Sequence, residues 1–266
     1  MRWIKGLVPT VIILLGALVL GCICYVSIWG APSFVVQRVE QALMEKGIPV
    51  HIETLKISLW PRAVVTLKNV ELLDPGVPPE ARRPVALLHE ADVALNWKEL
   101  IDGQVVPERL NVKGLDVNLP VDAEKPERVF STAGLNAELD LGRPGMVDIV
   151  KADAVVQGIR VTAQGAFSIG QGDSGDFTLT AEDMAAVREQ LNQVLKYLDR
   201  VKWPEASPPS LAVNLSDDPK GGVRVGMDLQ APSLRYGKIR VRDFLFSGDY
   251  ADSVIMAKRF TMRDAE

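Results

Sequence analysis

One eight-residue stretch changes its alternation of apolar and polar side chains in the middle. Val65 and Leu67 are apolar at odd positions, whereas Val70 and Leu72 are apolar at even positions. Because successive side chains of a strand point to opposite faces, the two halves would face opposite sides of a sheet. One extra residue absorbed at Asn69 restores a single apolar face, and asparagine tolerates the left-handed conformation that some β-bulges need. The stretch therefore predicts a bulged β-strand.

The same switch recurs along the chain. Its further copies pivot on Thr54, Gly114, Gly158 and Asp243. The copies that begin at Val65, Leu110 and Ala154 follow one another at about 45 residues, a spacing typical of a repeated structural unit. Chance recurrence of a short pattern in an antiparallel sheet is the alternative. Because bulges increase bend and twist, the repeat predicts a mainly β chain folded as a curled, bulged antiparallel sheet.

Strand patterns fill residues 48–180 and 209–263, separated by segments rich in Pro, Gly and Asp that are typical of turns. The predicted strands are 50–59, 63–73, 85–97, 104–119, 129–141, 147–156, 159–169, 176–180, 211–215, 222–229, 234–246 and 254–262. In the third strand one parity is apolar and the other is polar. The apolar set is Val85, Leu87, Ala91, Val93, Leu95 and Trp97, and the polar set is Glu90, Asp92, Asn96 and Lys98. One face of the sheet is therefore predicted to be dry and the other wet.

The N-terminal segment predicts a membrane anchor. After Arg2 and Lys5 no charged residue occurs until Arg38. At about 1.5 Å per residue, the apolar centre of this window crosses a hydrocarbon core roughly 30 Å thick, and the basic leader favours a cytoplasmic N-terminus. A single-pass transmembrane helix is thus predicted within residues 1–31. Two other interpretations stay open: a lipoprotein that is lipidated at Cys22, and a cleaved signal peptide.

Two helices are predicted in the exported domain, residues 32–266. Residues 33–46 carry apolar side chains at helical spacing and lead to Gly47, a residue typical of a helix C-terminus. Residues 181–203 form a longer amphipathic helix, which begins with a capping-box pattern and ends before a proline. Its apolar stripe consists of Met184, Val187, Leu191, Val194, Leu195, Leu198 and Val201. Since such a stripe must be buried, this helix is predicted to pack on the apolar face of the sheet.

Composition and motifs argue against several functions. The net charge of −4, with no run of five basic residues, leaves no electrostatic footprint for nucleic acid. The chain has two histidines and two cysteines, and both cysteines lie in the apolar N-terminus, so no Cys/His metal site is expected. Calcium at turn aspartates is the remaining metal alternative; these are Asp173, Asp176, Asp217 and Asp218. No nucleophile elbow, phosphate-binding loop or dinucleotide fingerprint is present, which predicts a protein that is not an enzyme and binds no cofactor. An envelope hydrolase whose carboxylates converge only in three dimensions is the alternative.

Several segments resemble a known family. The anchor, the short helix ending at residues 47–50, and the stretches 55–61 and 65–75 look like the start of bacterial AsmA-like proteins, and residues 110–119 and 234–246 resemble their repeated strands. The resemblance implies a protein anchored in the bacterial inner membrane with a curled periplasmic sheet whose apolar groove serves lipid transport. This chain is short for the family, and the helix at 181–203 matches no family motif.

Together these features predict an envelope protein that shelters or passes lipid acyl chains and contributes to outer-membrane lipid homeostasis. The candidate groove-facing or helix-facing residues are Val85, Leu87, Val93, Leu95, Met184, Val187, Leu191 and Leu198. The predicted partners are the lipid bilayer, a phospholipid ligand, and a β-strand that a second copy or an envelope protein adds at the last predicted strand. The alternative is a non-enzymatic structural scaffold of the envelope in which the helix at 181–203 fills the dry face.

Overall fold

A computed structural model describes most of the chain after residue 29. The described residues are 30–59, 61–122, 125–168, 180–219, 221–252 and 254–264. The predicted anchor, residues 1–31, lies outside them except for its last two residues. Within those ranges, no helix combines the length and the hydropathy that crossing a bilayer requires. The described chain is mainly β with one long helix packed against the sheet, which confirms the predicted fold class at that level.

The described residues form one sheet of twelve strands. The strands are β1 (Val50–Ser58), β2 (Val64–Leu73), β3 (Pro84–Leu95), β4 (Pro107–Pro120), β5 (Val129–Asp140), β6 (Met146–Val156), β7 (Ile159–Ser168), β8 (Val201–Lys202), β9 (Ser210–Asp217), β10 (Val223–Tyr236), β11 (Ile239–Ala251) and β12 (Val254–Asp264). The helices are α1 (Ser33–Glu45), α2 (Trp97–Ile101) and α3 (Ala181–Leu198), with a 3-10 turn at Pro79–Ala81. The sheet order is β1-β2-β3-β4-β5-β6-β7-β9-β10-β11-β12, and β8 pairs with β10 beyond the end of β9. Among the described strands, only β7 and β9 pair in parallel. The connection between a parallel pair must cross from one end of the sheet to the other, and here the crossover contains α3.

Strands β1 and β2 change their apolar parity at the same level of the sheet. Ile52 and Leu55 are three residues apart in β1, yet both belong to one buried cluster with Val70 of β2. Leu67, three residues before Val70, packs against the same cluster. The register between β1 and β2 does not shift at this level, and Thr54 lies directly opposite a β2 residue. The parity switch read from the sequence is therefore real, and neighbouring strands accommodate it together.

The predicted pivots differ in geometry. Asn69, Gly114 and Asp243 have φ angles of 50°, 67° and 51°. The register shifts at Gly114 in the pairing of β4 with β5, and at Asp243 in the pairing of β11 with β12. At Asn69 the register of β2 shifts with neither of its neighbours. Gly158 instead follows Gln157 in a two-residue turn between β6 and β7. Since two consecutive left-handed residues form a tight hairpin, the predicted bulged strand at Gly158 is wrong.

The third strand also switches parity, which the sequence analysis did not anticipate. Leu88 lies opposite Val70, and Val93 lies opposite Val65, so both share the face of the buried cluster although they are five residues apart. An odd spacing can share a face only if the alternation breaks between them, near His89. The break separates two predicted groove residues of this strand, because Leu87 is adjacent to Leu88 and therefore lies on the face opposite that of Val93. The predicted single parity from 85 to 97 is therefore wrong.

Two predicted strand boundaries also need correction. Asn96 accepts hydrogen bonds from the amides of Lys98 and Glu99 and so caps α2, which makes Trp97 a helical residue rather than the end of β3. The predicted strand 234–246 is divided between β10 and β11 by a turn containing Gly237, whose φ is 59°. The predicted strand 176–180 lies outside the described residues except for its last residue, the N-cap of α3.

The long helix α3 crosses one end of the sheet. In the first half of the helix, Arg188 donates two 2.5 Å hydrogen bonds to Asp74 in the β2–β3 connection. Just beyond its last residue, Asp199 accepts a 2.7 Å bond from Arg128 in the β4–β5 connection. The helix stops at Leu198 instead of continuing to residue 203, because the residues of β8 pair with β10. The capping box predicted at its N-terminus is present.

The inward face of α3 differs from the predicted stripe. Leu195 is buried, and Met184, Leu191 and Leu198 are half-buried. Val187 and Val194 are 41% and 48% exposed, so their predicted burial is wrong. The helix is rotated so that Arg188 and Asn192 turn inward, where Arg188 reaches a buried carboxylate. By contrast, α1 agrees with the prediction for 33–46 and lays Val36 and Val39 on the buried cluster of β1 and β2.

Candidate functional site

An apolar cleft opens on the dry face at the end of the sheet that α3 crosses. Its volume is about 420 Å³, within the range of roughly 300–1,000 Å³ that is typical of small-ligand sites. Its lining comes from β7, β10, β11 and β12, from the last residue of α3, and from the segment that follows α3. The lining residues are Ile159, Leu198, Val201, Trp203, Pro209, Leu229, Ala231, Leu234, Tyr236, Ile239, Val241, Phe244 and Met262. No charged side chain is among them, so the cleft suits a hydrocarbon.

The register of the sheet aligns this lining. Tyr236 lies opposite both Ile239 and Val201, and Leu234 lies opposite Val241. Directly opposed residues of antiparallel strands share a face, so these side chains converge on one side. Phe244 packs edge-to-face against Phe260 of β12, with ring centroids 5.6 Å apart. The aromatic pair extends the apolar wall to the last strand.

Solvent reaches much of this wall. Ile239 is 62% exposed and Met262 is 59% exposed, and Phe260 and Ile255 on β12 are also exposed. Among the described residues, the largest fully buried side chain is Pro49, so no large aromatic residue fills the interior. A contiguous exposed apolar surface is uncommon on a protein that has no ligand or partner. Among the described residues, the dry face is thus filled by α1 at β1 and β2 but left open at β10 to β12.

A basic rim borders the cleft. A second concavity of about 520 Å³ is lined by Asp199, Arg200, Lys202, Arg235, Tyr236 and Gly237, and it shares Tyr236 with the cleft. Lys202 lies opposite Arg235, and Arg235 lies opposite Arg240, so three cations form one row across β8, β10 and β11. Asp199 is already paired with Arg128. In the described part of the chain, no carboxylate lies within ion-pair distance of Arg200 or of the three cations in the row.

The outer face of β2 to β4 is balanced by contrast. Glu90 accepts a 2.5 Å hydrogen bond from Lys113 and lies 2.7 Å from the ammonium of Lys68. Hydrogen bonds from Lys113 and Lys68 lower the pKa of Glu90 to about 2. Bonds to Glu90 and Asp92 raise the pKa of Lys113. Thr66 also donates a 2.7 Å hydrogen bond to Asp92. The ammonium groups of Lys68 and Lys113 lie beside the carboxylates of Glu90 and Asp92, so the charges of this face neutralise one another.

A third cavity, of about 630 Å³, lies between α3 and the connections that α3 crosses. Asp74 is buried there and also accepts a 2.9 Å bond from the amide of Gly76, so the Asp74–Arg188 pair holds the helix in place. Of the predicted site residues, Val85 and Met184 line this cavity and Leu198 lines the apolar cleft. The predicted residues that line neither are Leu87, Val93, Leu95, Val187 and Leu191.

Sequence reasoning missed most of the cleft. Most of the missed residues come from β10 and β11, whose hairpin at Gly237 was not recognised, and from Val201 and Trp203, which were assigned to a helix. The others are Ile159, Pro209 and Met262. A usable signal was the apolar parity of Leu234 and Tyr236 continuing in Ile239 and Val241 across a two-residue Gly-Lys turn.

The described residues contain no group of three His, Cys, Asp or Glu side chains that could hold a metal ion. Comparisons of the chain with protein-family models, with curated proteins and with solved structures each find no match. The candidate site therefore rests on its own geometry.

Proposed function

We propose that this chain is an envelope protein, anchored in the bacterial inner membrane by its N-terminal segment, that shelters lipid acyl chains in the apolar cleft. The observation that carries the proposal is the cleft of about 420 Å³ without a charged lining residue. The resemblance of the sequence to AsmA-like proteins supports the same function. The N-terminus is cytoplasmic and the sheet periplasmic in this proposal, as the basic leader with Arg2 and Lys5 favours.

The length of the bound chain provides a quantitative test. Each methylene that enters the cleft contributes about 0.8 kcal/mol, which is roughly a fourfold gain in affinity. We expect the affinity of the full-length protein for a series of fatty alcohols to rise by about this factor per methylene and then to level off when the cleft is full. Native mass spectrometry in a mild non-ionic detergent measures it. An affinity that does not depend on chain length contradicts the proposal.

Two matched variants localise the binding. Ile239→Glu places a carboxylate in the wall of the cleft, and Ile255→Glu places one on β12 away from it. Both isoleucines are more than half exposed, so neither change should unfold the protein. We expect Ile239→Glu to lower the affinity at least tenfold, because an ionised carboxylate must be desolvated beside the ligand. Equal effects of the two variants would place the ligand elsewhere.

A structural scaffold with a filled core is the second candidate. The packing of α1 on Ile52, Leu55 and Val70 favours it for the first strands, where the dry face is already occupied. The same binding series decides between the two candidates. A protein that takes up no fatty alcohol, and that is purified without lipid, is a scaffold.

The last strand offers a way to lengthen the cleft. β12 ends the sheet order and pairs only with β11 among the described strands. We propose that an extended strand of a second envelope protein, with acidic side chains on its outer face, adds to this edge. Of the cations of β12, Lys258 and Arg263 are ion-paired with Asp249 and Asp243 of β11, which leaves Arg259 without a carboxylate partner in the described chain. Self-pairing of two β12 strands would bring two such arginines onto one edge, whereas an acidic side chain of a different strand would offset the charge. Cysteine crosslinking from Val254 or Met262 in intact membranes should capture a heterologous protein. Exclusive capture of a second copy, or of nothing, contradicts this part.

A further inference from the structure

The row of cations beside the apolar cleft has no carboxylate partner within the described chain. Lys202, Arg235 and Arg240 occupy directly opposed positions on neighbouring strands. Like charges in opposed positions destabilise a sheet, and elsewhere this protein offsets such charges, as Lys68, Glu90 and Lys113 do on β2 to β4. The net charge of the whole chain is −4, so a surplus of basic residues does not explain the row.

The geometry also places the cations where an amphiphile would need them. Tyr236 belongs to both concavities, with Val201 and Ile239 on the apolar side and Lys202 and Arg235 on the basic side. Alternation along a strand puts Lys202 and Arg235 on the face opposite that of Val201 and Tyr236. The basic and apolar sets therefore meet only at the edge of the sheet where β8 begins and β10 ends. A molecule with its tail in the cleft would leave its polar end at this rim.

Arg235 is partly oriented for this role. Its Nε donates a 2.8 Å hydrogen bond to the carbonyl of Gly237, which directs the guanidinium along the turn between β10 and β11. The remaining nitrogens of the guanidinium have no hydrogen-bond partner in the described part of the chain, and a planar guanidinium matches phosphate and carboxylate groups. Arg200 and Lys202 line the same concavity from the other side of the rim.

We infer that the ligand of the cleft is an anionic amphiphile, whose phosphate or carboxylate headgroup is bound by Arg200, Lys202 and Arg235 while its tail occupies the apolar cleft. This inference rests on the proposed function, which it sharpens from a lipid chain of any kind to a lipid of one charge class. Charge complementarity at the rim and apolar complementarity in the cleft together select the ligand.

Three ligands with the same dodecyl tail test it on the full-length protein in a non-ionic detergent: dodecyl phosphate, dodecylphosphocholine and dodecanol. We expect dodecyl phosphate to bind about tenfold more tightly than the other two, and the preference to shrink as salt rises from 50 to 500 mM. The double variant Lys202→Gln/Arg235→Gln should abolish the preference and leave dodecanol binding unchanged. The control Lys56→Gln/Lys98→Gln removes the same charge far from the rim and should preserve the preference.

The outcomes separate the two proposals. Equal binding of all three ligands, or a preference that survives in the rim variant, overturns the inference and leaves the apolar cleft as the site. Absence of binding by every ligand overturns the proposed function itself. Inorganic phosphate is the final comparison: if it binds the rim as tightly as dodecyl phosphate does, the site serves free anions, and the inference of an amphiphile is wrong.

Discussion

Strands β1 to β4 and strands β9 to β12 both alternate apolar and polar side chains, but they differ in what covers their apolar face. On the first set, α1 packs over the cluster of Ile52, Leu55 and Val70, and the outer charges of Lys68, Glu90 and Lys113 neutralise one another. On the second set, the apolar wall is exposed and the outer cations at the rim have no carboxylate within ion-pair distance in the described chain. The strand pattern alone therefore does not decide whether a dry face becomes core or binding surface.

The two edges of the sheet repeat this difference. At β1, the amide of Ile52 donates a 2.7 Å bond to Glu40 of α1, and the carbonyl of Leu55 accepts a 2.6 Å bond from the amide of Ala31. At β12, pairing within the described chain is with β11 alone. An edge strand whose polar backbone groups are occupied resists addition of another strand, whereas an unoccupied edge invites it. The segment before β1 thus closes one edge, and no described residue closes the other.

The largest expected contrast is between two isoleucines at these edges. Ile52 is 2% exposed and Ile255 is 63% exposed. Ile52→Ala should destabilise the protein by about 2–5 kcal/mol, because it removes buried methyl groups and leaves a cavity. Ile255→Ala should change stability by no more than about 0.5 kcal/mol. Urea unfolding of the two variants measures the difference, and similar losses would mean that β12 is covered in solution.

The next contrast concerns two glycines with left-handed backbones. A Cβ at Gly114, with φ 67°, would lie 2.8 Å from Cδ2 of His89, whereas a Cβ at Gly237, with φ 59°, meets nothing within 4 Å. Gly114→Ala should therefore cost about 1–3 kcal/mol and Gly237→Ala about 1 kcal/mol in stability. Adding His89→Ala to Gly114→Ala should remove the excess. If it does not, backbone strain alone accounts for the loss at Gly114.

Features that depend on residues close together in the sequence were predicted, and features that depend on distant residues were not. Most strands and α1 were predictable, since alternation and helical spacing are local properties. The switch near Asn69 was visible because its apolar residues change parity within eight positions. The cleft was not visible, because Ile159 meets Leu234 and Val241 only through the parallel pairing of β7 with β9 and the hairpin after it.

The charges of the rim escaped sequence analysis for the same reason. Lys202, Arg235 and Arg240 are separated by turns and strands and become neighbours only through register. The rotation of α3 was also hidden, because the inward position of Arg188 depends on Asp74, which lies 114 residues earlier. Long-range partners decided both outcomes.

The closed edge offers a smaller test. Glu40→Ala removes the carboxylate that accepts from the amide of Ile52, and a lost hydrogen bond of this kind costs about 1 kcal/mol. We expect hydrogen exchange at the Ile52 amide to become several-fold faster, with Glu40→Gln as a control that keeps an acceptor oxygen. In the unmodified protein, the Ile52 amide should exchange more slowly than the outward amides of β12. Equal protection at both edges would break the comparison.

The smallest effect concerns the balanced charges of β2 to β4. The pKa of Glu90 is lowered from 4.5 to about 2 by hydrogen bonds from Lys113 and Lys68. A carboxyl group whose pKa is lower in the folded state stabilises the protein above its unfolded value, and this stabilisation is lost as pH falls from about 4.5 through about 2. Lys113 is half exposed, so screening holds the contribution to about 1 kcal/mol or less.

Unfolding measured between pH 5 and pH 2 should show a shallower loss of stability for Glu90→Gln than for the unmodified protein. The matched variant Glu205→Gln removes a carboxylate from an exposed loop and should leave the slope unchanged. If both variants follow the unmodified protein, the ion pairs of Glu90 contribute no measurable stability. The balanced charges of β2 to β4 and the unpaired cations of the rim would then not differ in their contribution to stability.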